Sequence, residues 1–273
     1  NVMKGLKKIA LATAVAAAPF AAQADLKALD DTTMSNVTGQ RGVTIELETE
    51  VSIGEFRYTD DGYLSVSDIW IGGGSVERDQ NTNAVTGVSG MLDDLLIDID
   101  VEADGDAYID VHSISGNPID FAMAVGSASL NATDGSGDST LLASNIGIEG
   151  NLAQLNIRVD TATDDLIMNV GFNVTDMDMD VDFLGVNVRD LTVMGAQFYE
   201  GGTGAPAMFA FATVTVGKGT SAATGGDALE ITIPSFVADI GVGDVEIGGE
   251  SIGSFRMDNL AVTNTTMKVY GHQ

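Results

Sequence analysis

The chain has 273 residues, 12 Lys+Arg against 40 Asp+Glu, a formal net charge of −28 and no cysteine. So anionic a surface repels phosphate backbones and acidic headgroups, which argues against nucleic acid as a partner and favours cations and a salty medium. With no disulfide available, the 44% hydrophobic content must build the core.

From Met3 the chain reads MKGLKKIALATAVAAAPFAAQA. Lys4, Lys7 and Lys8 precede an apolar run from Ile9 to Phe20, and Ala22-Gln23-Ala24 is an A-x-A cleavage site. This is the pattern of a secretory leader over residues 1–24, with the mature chain starting at Asp25. The apolar run is shorter than the roughly 20 residues of a membrane span, so no transmembrane helix is expected in the mature chain. Asn1 and Val2 precede the expected start methionine.

Residues 25–42 form a predicted short helical segment. Asp30 or Asp31 can cap its N-terminus, Leu29, Met34 and Val37 give it an apolar side, and Gly39 can stop it. From residue 43 to 273 the period changes to two. In RGVTIELETEVSIG, Val43, Ile45, Leu47, Val51 and Ile53 alternate with polar residues, as in a half-buried strand. The next run, EFRYTDDGYLSV, is a predicted hairpin. A loop of Asp60, Asp61 and Gly62 pairs Tyr58 with Leu64 and Phe56 with Val66, all facing the core, with Gly62 in the left-handed position. Trp70 lies in the strand-like SDIWIGG as a core or sheet-surface residue.

The alternation returns in LLIDIDVEADGDAYIDVH, residues 95–112. Asp100, Glu102, Asp104 and Asp106 imitate half of an EF-hand loop, but Val111 stands where that loop needs a bidentate glutamate. A hairpin with Asp104, Gly105 and Asp106 as its loop fits better. It pairs Ala103 with Ala107, Val101 with Ile109 and Ile99 with Val111, and opposes Asp100 to Asp110. Like charges so placed destabilise a sheet. The candidate metal ligands are therefore Asp100, Glu102, Asp104, Asp106 and Asp110, with calcium as the candidate ion; the alternative is a screened pair, with Asp98 balanced by His112.

Further strands are predicted at 166–174, 208–216 and 229–237, separated by glycine-rich connections at 133–140, 200–207 and 218–227. Between them lies TDMDMDVDF, where Asp176, Asp178, Asp180 and Asp182 alternate with Met177, Met179, Val181 and Phe183. The aspartates lie about 7 Å apart along a strand. One row alone cannot chelate an ion that needs oxygens at about 2.3–2.6 Å. It forms an acidic face unless neighbouring strands add carboxylates.

No catalytic constellation is evident. The histidines are His112 and His272, Ser113 points away from His112 on a strand, and no GxSxG, HExxH or phosphate loop occurs. An internal echo links Ser52-Ile53-Gly54-Glu55-Phe56-Arg57 with Ser251-Ile252-Gly253-Ser254-Phe255-Arg256. The second copy predicts a hairpin turning at Asp258-Asn259, pairing Met257 with Leu260 and Phe255 with Val262. A looser echo is FLGVNVRDLTVMG, 183–195.

The runs ALDDTTMSNVTGQRGVTIELE (28–48) and SIGSFRMDNLAVTNTTMKVYGH (251–272) are similar to the start and the end of a group of secreted, acidic, β-rich proteins of Gram-negative bacteria, labelled pilus-assembly proteins of the Fil type. The resemblance implies export beyond the inner membrane and a surface or pilus-linked role. It supplies no catalytic residues.

The expected fold is all-β: an antiparallel sandwich or a solenoid-like stack of hairpins, in one body after the helical segment. The expected function is a non-enzymatic structural or adhesion protein in the periplasm, on the outer surface or outside the cell. Its partners would be other copies of itself or surface and pilus proteins, with divalent cations as candidate ligands. Two alternatives stand beside it. One is a lipid- or hydrocarbon-binding β-groove lined by Met91, Met123, Met168, Met177, Met179, Met194 and Met208. The other is an outer-membrane barrel, disfavoured by the acidic alternate faces and the absence of a terminal aromatic strand.

Overall fold

The structure is a computed structural model and describes residues 42–271. The leader, residues 25–41 of the expected helical segment and His272 lie outside the described residues. Thirteen strands follow in order: β1 (Val43–Thr49), β2 (Val51–Thr59), β3 (Tyr63–Arg78), β4 (Val85–Gly90), β5 (Leu92–Val101), β6 (Ala107–Ser113), β7 (Ile119–Asn131), β8 (Ser139–Asp160), β9 (Asp165–Val181), β10 (Val186–Met194), β11 (Ala210–Thr220), β12 (Asp227–Ile247) and β13 (Glu250–Val269). A 3-10 turn at Asp182–Leu184 and one helical turn, α1 (Ala205–Met208), complete them. The all-β reading holds, and the strands join in one antiparallel, hydrogen-bonded network.

Four long strands organise it. β8 pairs with β9 along one edge; along the other it pairs first with β7, then with β6. Beyond β7 lie β3 and then β2; beyond β6 lie β5 and then β1. The other edge of β9 carries β11 and β10 end to end, both also paired with β12, and β13 covers the outer edge of β12. Pro234 is tolerated inside β12 because the register with β11 shifts there, and Asn264 opposite it in β13 takes a left-handed φ of 53°.

The core is small and divided. Leu95, Val111 and Ile119 pack with Ile97, Ile109, Leu152 and Leu155 where β6 and β7 part from one another. Val85 and Val88 of β4 cover Ala122, Ala124, Trp70 and Val76. Trp70 is thus half-buried, packed against this cluster.

The first predicted hairpin has the expected register, Phe56 with Val66 and Tyr58 with Leu64. Its outer strand is not core, however: Phe56 is 56% and Tyr58 62% exposed. Gly62 is also not left-handed; a Cβ there would lie 2.8 Å from the Asn131 carbonyl oxygen, so close approach is what requires glycine. The expected turn at Asp258-Asn259 does not form. β13 runs straight through, Met257 pairs with Ile240 and Leu260 with Ala238, and the extra residue is a bulge with Asn259 at φ 55°. A turn signal inside a strand was absorbed as a bulge because β12 offers an unbroken partner on that side.

That bulge belongs to a recurring unit. VSDIWI (66–71), LDDLLI (92–97), ASNIGI (143–148), VRDLTV (188–193) and MDNLAV (257–262) share apolar-x-Asx-apolar-x-apolar, and the third residue of each has positive φ: Asp68 56°, Asp94 55°, Asn145 52°, Asp190 51° and Asn259 55°. Asp and Asn are the non-glycine residues that reach this region most easily. A second unit answers the first: IGEF (53–56), VGSA (125–128), VGDV (242–245) and IGSF (252–255). Register places Gly126 between Asp68 and Asn145, Gly54 opposite Asp68, and Gly243 opposite Asp190. In each of these strands the apolar positions step by three rather than two across the kink, as from Val66 to Ile69 and from Phe56 to Ile53. Along this line β2, β3, β7 and β8 change parity together, and β10 and β12 do so opposite one another.

Candidate functional site

The acidic stretch meets that crease. Asp176 and Asp178 project from one side of β9, and Asp190, at the kink of β10, joins them; one carboxylate oxygen from each of the three lies within 4.8 Å of the others. Asp190 is left-handed and stays exposed, and its backbone N–H donates to an Asp178 oxygen at 3.0 Å. Neighbouring strands thus supply what a single row cannot. Burial, with the charges of Asp178, Asp190 and Glu149, pushes the Asp176 carboxyl above its usual range; Arg78 opposes this.

Arginines answer part of the charge. Arg78 lies 3.4 Å from Asp178. Arg189 lies 2.6 Å from Asp180 and 3.5 Å from Glu246, and the Asn145 side chain donates to the other Asp180 oxygen at 2.9 Å. Asp182 and Phe183 leave the strand for the 3-10 turn, so Phe183 is exposed rather than part of a core stripe. Chemically, the cluster can attract a proton or a cation.

The predicted calcium loop is arranged differently. Val101 pairs with Ala107, Ile99 with Ile109 and Ile97 with Val111, a register two residues from the expected one. The loop is therefore Glu102 to Asp106, and Asp100 faces Tyr108 rather than Asp110. The cause is Asp106. It is 3% exposed, accepts from Arg158 at 2.6 and 3.0 Å, and accepts the Thr161 backbone N–H at 2.9 Å. These bonds, Thr161 first, hold its carboxyl below the usual range. Asp106 is a structural anchor, while Asp100, Glu102 and Asp104 are exposed.

Asp98 is the residue that opposes Asp110. Asp98 accepts from Thr44 and lies 2.8 Å from His112 Nε2, while Asp110 accepts from Asn156. Protein donors thereby relieve the like-charge contact. The five candidate ligands are not brought to one point.

The remaining feature is the free edges. β2 pairs with β3 and β13 with β12, and neither has a second partner among the described residues. Ile252, Phe255, Met267 and Val269 on β13, like Phe56 and Tyr58 on β2, are exposed. Sequence reasoning noted the SIG-x-FR echo but missed that its copies occupy opposite edges of the sheet. Two surface hollows, one at Tyr58, Tyr63 and Leu130, the other at Tyr199, Val242 and Phe255, are not lined by methionine.

Residues 3–103 match a family of unknown function (DUF6160). No curated protein and no solved structure matches the chain.

Proposed function

We propose that the protein is an exported, non-enzymatic structural protein of the cell surface, of the pilus-linked kind that its two ends resemble. The observation that carries this reading is the open sheet, whose outer strands include β2 and β13, each with one edge unpaired among the described residues and exposed apolar side chains. Such edges are templates for another chain and are normally blunted by charge or cover. An open sheet also favours this reading over a barrel, which abolishes its edges, and the scattered methionines give no support to a lipid groove. Among the described residues, His112 is held by Asp98 and by the Ser113 carbonyl, and no helix is long and apolar enough to cross a membrane.

Immunogold labelling of intact cells, with mechanical shearing, tests this. Surface label released by shear is expected. Retention in the cytoplasm, or in salt-washed outer membranes with heat-modifiable migration, would refute the reading.

A further inference from the structure

We infer that β13 of one copy pairs with β2 of a second copy, antiparallel and in a defined register, so that copies join head to tail. The inference rests on the surface-assembly reading above and names its partner and its contact.

β7 supplies the precedent. Its Val125-Gly126-Ser127-Ala128 unit is flanked on both edges by the kinked unit. Val125 pairs with Ile69 of β3 and Ile146 of β8, Ser127 with Ser67 and Ser144, and Ala128 with Val66 and Ala143. The matching unit of β2, Ile53-Gly54-Glu55-Phe56, has among the described residues a kinked partner on one edge only, β3. β13 displays a kinked unit, Met257 to Val262, on an edge without a partner among the described residues. One strand lacks the element that the other presents.

Direction agrees. Every pairing from β2 through β3, β7, β8, β9, β10 and β12 to β13 is antiparallel, so β13 runs as β3 does. A second copy in the same orientation offers its β2 antiparallel to β13, as β2 already lies against β3. The register used with β3 places Phe56 of that copy beside Met257, Gly54 beside Asn259 and Ile53 beside Leu260. A contact between unlike edges does not close on itself and propagates.

Gly54 gives an independent sign. Gly126 and Gly243 are needed within the chain, because a Cβ on either would lie 2.9 or 2.7 Å from the Cβ of Asp68 or Asp190. A Cβ on Gly54 meets nothing within 4 Å, and its φ is not left-handed. The single chain does not require this glycine; the pairing does, opposite Asn259.

In net charge the two edges do not repel. On a chain of net charge −28, β2 carries Glu55 and Arg57, and β13 carries Glu250, Asp258, Arg256 and Lys268, so each edge is balanced. The third edge, β1, carries Glu46 and Glu48 and no base. In the paired register Glu55 faces Asp258 and Arg57 faces Arg256; like charges so opposed work against the pairing, and the opposite charges on the longer diagonals offset this only in part.

The test uses the purified full chain in sedimentation velocity over rising concentration and rising sodium chloride, which screens the net charge. Oligomers beyond the dimer are expected. Gly54→Val should remain monomeric with an unchanged melting temperature, because the monomer has room for the side chain. Glu55→Cys combined with Asp258→Cys, in a chain with no other cysteine, should give a covalent ladder on mild oxidation, and neither single variant should. A monomeric wild type, closed dimers, or assembly by Gly54→Val equal to wild type would each overturn the pairing. A monomer that is still shed from the cell surface by shear would end this inference while leaving the surface role intact.

Discussion

Asp68 and Gly126 face one another across β3 and β7, and the Asp68 backbone is left-handed. A Cβ on Gly126 would lie 2.9 Å from the Asp68 Cβ, closer than side chains tolerate. Gly126→Ala should therefore cost about 1–3 kcal/mol, the range for forced overpacking, measured as the urea midpoint at constant m-value. Gly243→Ala, against Asp190, should behave alike. Wild-type stability in both would mean that the kink relaxes freely.

The bulge of β13 is pinned by Asp239, which is fully buried and accepts the Asn259 N–H at 2.7 Å and the Tyr199 N–H at 2.9 Å. Asp239→Ala leaves both donors without this acceptor. A loss of about 2–6 kcal/mol is expected, from two buried donors left unsatisfied at roughly 1–3 kcal/mol each. Asp239→Asn keeps one acceptor oxygen and should lose about half as much. Chemical denaturation distinguishes the two; equal losses would show that the number of acceptor oxygens is not what holds the bulge.

These two sites show what the sequence could and could not convey. The Tyr58–Leu64 register was legible, because loop length is local; the alternation over Val43–Ile53 marked strand but not a half-buried one, since the run breaks at Glu50 into β1 and β2, both outer strands, and Val43, Ile45, Leu47 and Ile53 are exposed. Which strands end the sheet was not, since edge position depends on partners far along the chain. The kinked unit was written five times, yet each copy interrupts the alternation that reveals strands, and at Asp258-Asn259 it reads as a turn. The acidic cluster was half legible: Asp176 and Asp178 were visible as a row, but Asp190 joins them only through the β9–β10 pairing. The Asp100–Asp110 opposition failed because the long-range partners of Asp106, Arg158 and Thr161, carry no local signal.

Asp176 is an acid whose folded-state pKa is raised, so ionising it costs stability. That cost appears as pH rises above the ordinary carboxyl value, about 3.9, and is complete above the raised value. Asp176→Asn should raise the melting temperature at neutral pH and low salt, and the gain should shrink in high salt. A lower melting temperature would mean that the carboxylate accepts bonds the fold needs.

The β5–β6 loop should not distinguish calcium from sodium. Asp106 is committed to Arg158 and Thr161, and Asp100 no longer opposes Asp110. Calcium chloride and sodium chloride at matched ionic strength should raise the melting temperature of wild type and Asp100→Asn equally. An additional calcium increment lost in Asp100→Asn would place an ion in this loop.

His112 and Asp98 give the β5–β6 pair a pH dependence of defined sign. Asp98, with the Ser113 carbonyl and Asp110 nearby, raises the His112 pKa; Thr44 and His112 lower that of Asp98. The histidine's contribution is fully present below its unfolded pKa, about 6.5, and is lost as pH rises through the raised folded value. The aspartate's contribution is present above about 3.9 and is lost as pH falls through the lowered folded value. Between these limits both contribute. Each side chain is 38% exposed, so solvent and salt weaken the pair and the effect should be small. The measurement is melting temperature at constant ionic strength from about pH 5 to about pH 9, spanning the histidine titration. Wild type should lose stability across the upper part of that range relative to His112→Gln, which can still donate to Asp98 but does not titrate. Parallel profiles for the two proteins would show that Asp98 holds the ring by a neutral hydrogen bond alone.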